Sequence, residues 1–262
     1  MFALQRLGAE VWAIHTVQFS NHTGYGDWTG QVFTGEHVAA VVEGIARRGA
    51  LSRCDAVLSG YMGDAGIGVA VLDAVGRVRG ANPGAEYCCD PVIGDEGRAY
   101  VRPGVAEFLR DRAIPAATIA TPNQFELEWL SGGPCGTLAA ARAAAGGLRA
   151  RMGGGAVLVT SLCTEETPAD GVDLLAADAT GDYRLRTPRL PVVVNGAGDL
   201  IAALFLYYMR ETGRAAAAME AAASAVFAVL QRTAAAGAGE LLIVAAQSEL
   251  VAPGRRFRAE RC

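Results

Sequence analysis

Short apolar runs alternate with longer helix-patterned segments along almost all of this chain, and that alternation leaves few folds open. The runs at residues 10–16, 56–59, 87–90, 117–121, 156–161, 172–176 and 183–187 have the length of strands. The segments 35–48, 66–75, 103–111, 124–131, 137–152, 198–211 and 214–235 predict helices. Strands separated by helices return as parallel neighbours, so the expected class is α/β: a three-layer α/β/α fold whose central, mostly parallel sheet is covered on both faces. The run 183–187 follows 172–176 so closely that it predicts a late antiparallel hairpin turning through 178–182. Pro103 suits the first turn of its helix, and Gly213 the position just past the end of another. Residues 19–35 are too polar and glycine-rich for a core element and read as a long loop or small flap. No repeat is visible, and the glycine clusters at 131–134 and 153–155 read as loops rather than linkers, so residues 1–262 are expected to form a single domain.

The helix predicted from residue 198 has an unusual mouth, Asn195-Gly196-Ala197-Gly198-Asp199. Glycines let the backbone approach a ligand closely, and the first amides of a helix are unpaired and carry positive charge. Such a mouth holds phosphate. Asp199 would repel a bound phosphate, which makes sense for an acid acting as a base on whatever attacks that phosphate. Taken alone, the same acid reads equally as an ordinary first-turn residue of a buried helix.

Composition narrows the nucleotide chemistry. All 23 basic residues are arginine. A Walker A loop and a protein-kinase site both need lysine, so both are excluded. A net charge of −4 with no basic run gives no nucleic-acid surface. No apolar stretch is long enough to span a bilayer, so no membrane partner is expected. Cys54, Cys88, Cys89, Cys135, Cys163 and Cys262 lack metal-site spacing and suit a reducing cytoplasm.

Four blocks taken together resemble the pyridoxal/pyridoxamine kinases of the ribokinase-like superfamily. They are Gln18-Phe19-Ser20-Asn21-His22-Thr23-Gly24-Tyr25-Gly26, Cys89-Asp90-Pro91-Val92-Ile93-Gly94-Asp95, Thr121-Pro122-Asn123-Gln124-Phe125-Glu126 and Asn195-Gly196-Ala197-Gly198-Asp199. The last block marks only the superfamily, whereas the first points to vitamin B6 kinases. Members of that family open with a further strand and a Ser-x-Val-x-x-Gly loop that touches the pyridoxal ring; neither is present here, and Met1–Gly8 reads as the tail of the helix that follows them.

The resemblance implies ATP-dependent phosphorylation of the 5′-hydroxymethyl group of pyridoxal, pyridoxamine or pyridoxine. Asp199 would be the general base, and the amides of Gly196, Ala197 and Gly198 the anion hole for the γ-phosphoryl group. The acids Asp90, Asp95 and Glu126 would repel a triphosphate without a cation, which implies Mg²⁺. By resemblance Asp90 and Glu126 match the metal-associated acids, with a monovalent cation as a further candidate, and Asp95 lies near the phosphates. The N-x-x-E spacing from Asn123 selects Glu126 over Glu128. Asn123, Thr160 and Ser161 match nucleotide-contacting residues, and Thr121 faces the same site. The adenine is expected against 190–194.

Thr23 matches a ring-contacting residue, and Tyr61 follows a strand on the substrate side. Phe19 and His22 are candidates for the ring pocket, although His22 reads first as a loop histidine bonded to backbone. His15 and His37 read as structural. Gly97 and Tyr100 fall in a loop expected to close over the ligands. A homodimer is implied by the resemblance alone. The alternatives are a hydroxymethylpyrimidine-type kinase and a non-catalytic B6-binding protein.

Overall fold

The computed structural model describes residues 1–95 and 97–262. The chain divides into two compact units, one of residues 13–120 and one of residues 1–12 with 121–262. Helix α1 (Phe2–Arg6) opens the chain and belongs to the second of these.

Residues 10–16, expected as a strand, are irregular, and pairing starts only at Val17. An apolar run of strand length is not enough, because a strand also needs a neighbour's backbone ladder. In the unit of residues 13–120, β1 (Val17–Phe19) pairs antiparallel with β2 (Gly30–Val32), Phe19 opposite Gly30. The stretch 19–35 is therefore a small flap. Gly30 has φ +138, and a Cβ there would strike the Gln18 carbonyl, so the pairing requires glycine. Helix α2 (Gly35–Ala46) is capped by the Thr34 hydroxyl, which accepts from the His37 amide at 3.2 Å. The His37 ring stacks on Phe33 at 4.5 Å, a structural role as expected.

Strand β3 (Ala56–Ser59), helix α3 (Ala65–Ala81) and strand β4 (Glu86–Cys89) follow, with β3 and β4 parallel. Helix α3 runs past the expected end at 75 to Ala81. The loop expected around Gly97 and Tyr100 is instead partly a hairpin of β5 (Gly94–Asp95) and β6 (Arg98–Ala99), strands too short to show a sequence period. Helix α4 (Val105–Phe108) starts after an N-cap at Gly104, so Pro103 precedes the helix rather than sitting in its first turn. A π-helical turn, Leu109–Ala113, leads to α5 (Ile114–Ala116) and then to β7 (Ile119–Ala120), parallel to β4 and shorter than the run 117–121. Cys88 and Cys89 are fully buried, and burial pushes the Cys88 thiol far up, so it packs as a small inert side chain.

In the other unit, α6 (Gln124–Ser131), α7 (Leu138–Arg151) and β8 (Ala156–Leu162) fall where the periodicity predicts. Strands β9 (Gly171–Asp178) and β10 (Gly181–Pro188) form the expected antiparallel hairpin, and β9 also runs antiparallel to β8. Helices α8 (Ala197–Thr212) and α9 (Ala215–Ala235) pack together, with Gly213 at φ +64 ending the first. Helix α10 (Gln247–Val251) and β11 (Glu260–Arg261) were not expected and are too short to pattern. Strands β8 and β9 are buried almost residue by residue, which requires cover on both faces; α7 and α9 both pack on them. The α/β/α layering follows. Parallel pairing is seen among β3, β4 and β7, and the antiparallel strands enter through the late hairpin.

The Asp178 carboxylate caps α9 from the hairpin turn. It accepts from the Ala215 amide at 2.7 Å and from the Thr180 amide and hydroxyl at 2.7 and 2.6 Å. Burial pushes its pKa upward, but those hydrogen bonds outweigh burial and hold it below the ordinary value. Its stabilisation is therefore present above the ordinary Asp pKa and lost as pH falls through the folded value. Among the described residues no helix is long and apolar enough to cross a membrane.

Candidate active site

Helix α8 begins as the sequence predicts. Its N-cap, Gly196, has φ +88, a left-handed conformation that favours glycine, and the first helical bond runs from the Leu200 amide to the Gly196 carbonyl. The amides of Ala197, Gly198 and Asp199 thus precede the intrahelical ladder. Asp199 lies in the first turn and is exposed. Gly198 differs from Gly196: its φ is not left-handed, and a Cβ there would meet no atom within 4 Å. Neither backbone conformation nor packing within the chain calls for glycine at 198. Just ahead of this mouth, Val193 is 98% exposed, an apolar side chain left on the surface within the stretch expected to face adenine.

In the same unit, the end of β8 lies beside the start of α6. The Thr160 amide donates to the Pro122 carbonyl at 2.9 Å, and Thr160 bridges to Asn123 in parallel. The structure thus brings Thr121, Asn123 and Thr160 together, with Thr121 and Thr160 buried. Ser161 next to them is exposed and has φ +51, the sole left-handed non-glycine residue among those described, where the β8–β9 register shifts. Such strain is held in place by surrounding structure and clusters at ligand sites. Asn123 and Glu126 form a reciprocal cap: Asn123 Oδ1 accepts from the Glu126 amide at 2.8 Å, and Glu126 Oε2 from the Asn123 amide at 2.9 Å. The N-x-x-E spacing that singled out Glu126 is thus also a capping box, which accounts for its burial by helix formation alone.

In the unit of residues 13–120, Asp90 directly follows β4 and is buried; its amide extends the ladder to the Ser59 carbonyl at 2.9 Å. An acid at the carboxyl end of a parallel strand is where open α/β sheets place ligands. Asp95 is exposed in the β5–β6 hairpin, paired in register with Arg98. Among the described residues no group of three or more His, Cys, Asp or Glu side chains could form a metal cage.

The flap carries Phe19, His22 and Thr23. His22 Nδ1 accepts from the Gly24 amide at 3.1 Å and caps the 3₁₀ turn Thr23–Tyr25, the backbone role expected for it. Phe19 packs against Trp28 with ring centroids 4.3 Å apart and planes tilted by 49°, and Trp28 stays 42% exposed. Trp28 is absent from the sequence-based candidates because only the hairpin brings it against Phe19. The flap is tied to the Tyr61 loop, since the Thr16 hydroxyl donates to the Tyr61 carbonyl at 2.7 Å. One unit thus brings the flap candidates and Tyr61 onto a shared support.

The family model described as phosphomethylpyrimidine kinase matches residues 27–243. The pyridoxal kinase PdxY of Granulibacter bethesdensis is 60% identical, over 100% of this chain and 93% of that protein. Its counterpart in Rubrobacter xylanophilus is 53% identical, over 100% and 90%. Among solved structures, the pyridoxal kinase of Leishmania donovani in complex with ADP and pyridoxamine matches with a TM-score of 0.91 at 27% identity, over 100% of this chain and 92% of that one.

Proposed function

The chain belongs to the pyridoxal kinase family, ribokinase-like enzymes, and from that premise we propose that it transfers the γ-phosphoryl group of ATP to the 5′-hydroxymethyl group of a B6 vitamer with Asp199 as the base. The observation that carries this reading is the mouth of α8, where an exposed acid stands among amides that precede the helical ladder.

Asp199 takes the proton of the vitamer hydroxyl as its oxygen bonds to the γ-phosphorus, and ADP leaves with the electrons of the broken P–O bond. The amides of Gly196, Ala197 and Gly198 hold the charge on the transferring group without having to reorganise. Asn123, Thr160, Ser161 and Asp95 are assigned to the nucleotide, and Val193 to its base. Thr23, Tyr61, Phe19 and His22 are assigned to the vitamer, and Trp28, packed against Phe19, joins them as ring wall. By the resemblance, Asp90 and Glu126 are each assigned to Mg²⁺, which would neutralise phosphate charge when bound. Kinship supports a homodimer, and six cysteines without metal-site spacing fit a reducing cytoplasm.

A panel of pyridoxal, pyridoxamine, pyridoxine and a hydroxymethylpyrimidine at fixed ATP tests the substrate. Turnover of the vitamers above the pyrimidine is expected, and the reverse order would assign the chain to the alternative. Gly198→Ala tests the anion hole. Alanine fits the helix, so thermal stability should hold or rise slightly, whereas kcat/KM should fall about 10- to 100-fold because a methyl group intrudes on the phosphoryl position. Unchanged kcat/KM would remove Gly198 from the site.

A further inference from the structure

Two surfaces assigned to the vitamer come from segments far apart in sequence: the flap of residues 17–32 and the loop that holds Tyr61. They meet at a joint built from residues that themselves face no ligand in the proposed function. The Thr16 hydroxyl donates to the Tyr61 carbonyl at 2.7 Å, part-buried, while the Thr16 carbonyl accepts from the Phe33 amide at 3.0 Å and so continues the β1–β2 ladder. One residue is thus bonded to both strands' hairpin and to the loop. Beside it, Gly63 lies against the flap so closely that a Cβ would sit 2.5 Å from Val32 Cγ1 and 3.3 Å from Val17 Cγ1. Met62 between them is 2% exposed. The loop therefore cannot slide or rotate against the base of the flap without breaking a hydrogen bond and a close-packed contact.

We propose that Thr16 is a positioning residue for the vitamer: through the Tyr61 carbonyl it sets the spacing between the Tyr61 ring and the flap residues Phe19, Thr23 and Trp28. A flat ring bound between two walls gains contact only when the walls stand at its thickness, and a joint that sets this spacing in advance spares the ligand the cost of ordering them. The inference rests on the vitamer-kinase reading and on the place of Tyr61 within it. Its effect should be confined to the vitamer, because the two bonds that make the joint, from Thr16 to Tyr61 and from Phe33 to Thr16, involve no residue assigned to the nucleotide in the proposed function.

The test compares Thr16→Val, which keeps the shape and loses the donor, with Thr16→Ser, which restores it, using Tyr61→Ala as reference. Thr16→Val is expected to raise KM for pyridoxal roughly 5- to 10-fold, the worth of one neutral hydrogen bond, with KM for ATP and kcat nearly unchanged. Thr16→Ser should return KM to within about twofold of the parent value. A purely structural role would instead lower the melting temperature and move both KM values together, and that outcome overturns the proposal. An unchanged pyridoxal KM in Thr16→Val, with Tyr61→Ala still raising it, overturns the proposal and leaves the functional reading intact. If Tyr61→Ala has no effect on KM either, the assignment of Tyr61 to the vitamer falls and takes the proposal with it.

Discussion

Asp199→Asn should lower kcat for pyridoxal phosphorylation by about 10²- to 10⁴-fold, the range for loss of a general base. The amide keeps the size of the carboxylate but cannot take the proton of the hydroxyl. Nucleotide binding should persist. The helix loses a favourable acid at its positive end, a change of about 0.3–1 kcal/mol, yet a phosphate at the same place loses a like charge. A Kd for an ATP analogue that is equal to or tighter than the parent value is therefore expected by calorimetry. Near-normal turnover would assign the proton to another group. Equal losses in turnover and nucleotide affinity would mean that Asp199 acts by organising the helix mouth and not as the base.

The second large effect lies away from the chemistry. Asp173 on β9 is 1% exposed and accepts from Arg186 Nε at 2.6 Å, Arg186 Nη2 at 2.7 Å and the Thr167 hydroxyl at 2.8 Å. Arg186 Nη2 also donates to the Glu166 carbonyl at 3.0 Å, so the pair ties the β9–β10 hairpin to the loop before it. Asp173→Ala strands a guanidinium in place, and breaking a buried pair costs about 3–5 kcal/mol. The Arg186 side chain is 33% exposed, which lets water reach it and favours the lower end of that range. A fall in melting temperature of roughly 5–10 °C is expected for a chain of this size. The activity of the protein that remains folded at low temperature should be near the parent value. Replacing both partners, as in Asp173→Leu with Arg186→Met, should recover much of the loss, since no charge is then stranded. A melting temperature within about 1 °C of the parent in Asp173→Ala would show that the pair adds nothing net.

The elements legible in the sequence were those long enough to show a period or marked by a strong end signal. Helix α6 follows from Asn123 and Glu126, α8 from its glycines and Gly213, and the β9–β10 hairpin from two close runs. Segments failed where a pattern depends on a partner. Residues 10–16 have the apolar character and length of a strand but are irregular, while the short strands β5, β6 and β11 exist only because another strand lies alongside. The site divides in the same way. Asp199 and Gly196 could be named from local chemistry. Glu126 could be named but not interpreted, because the capping box and the proposed metal acid share one spacing.

By itself the sequence determined the α/β alternation, the phosphate-suited helix mouth and the exclusion of a lysine-based nucleotide site, because each depends on neighbouring residues or on composition alone. Tertiary structure decided that Gly198 is a glycine no part of the chain needs, that Ser161 is strained and that Trp28 packs against Phe19. It also decided that Thr16 is bonded to the loop of Tyr61, a residue it precedes by 45 positions. These are distances between atoms remote in sequence, set by how elements pack, and no local pattern encodes them.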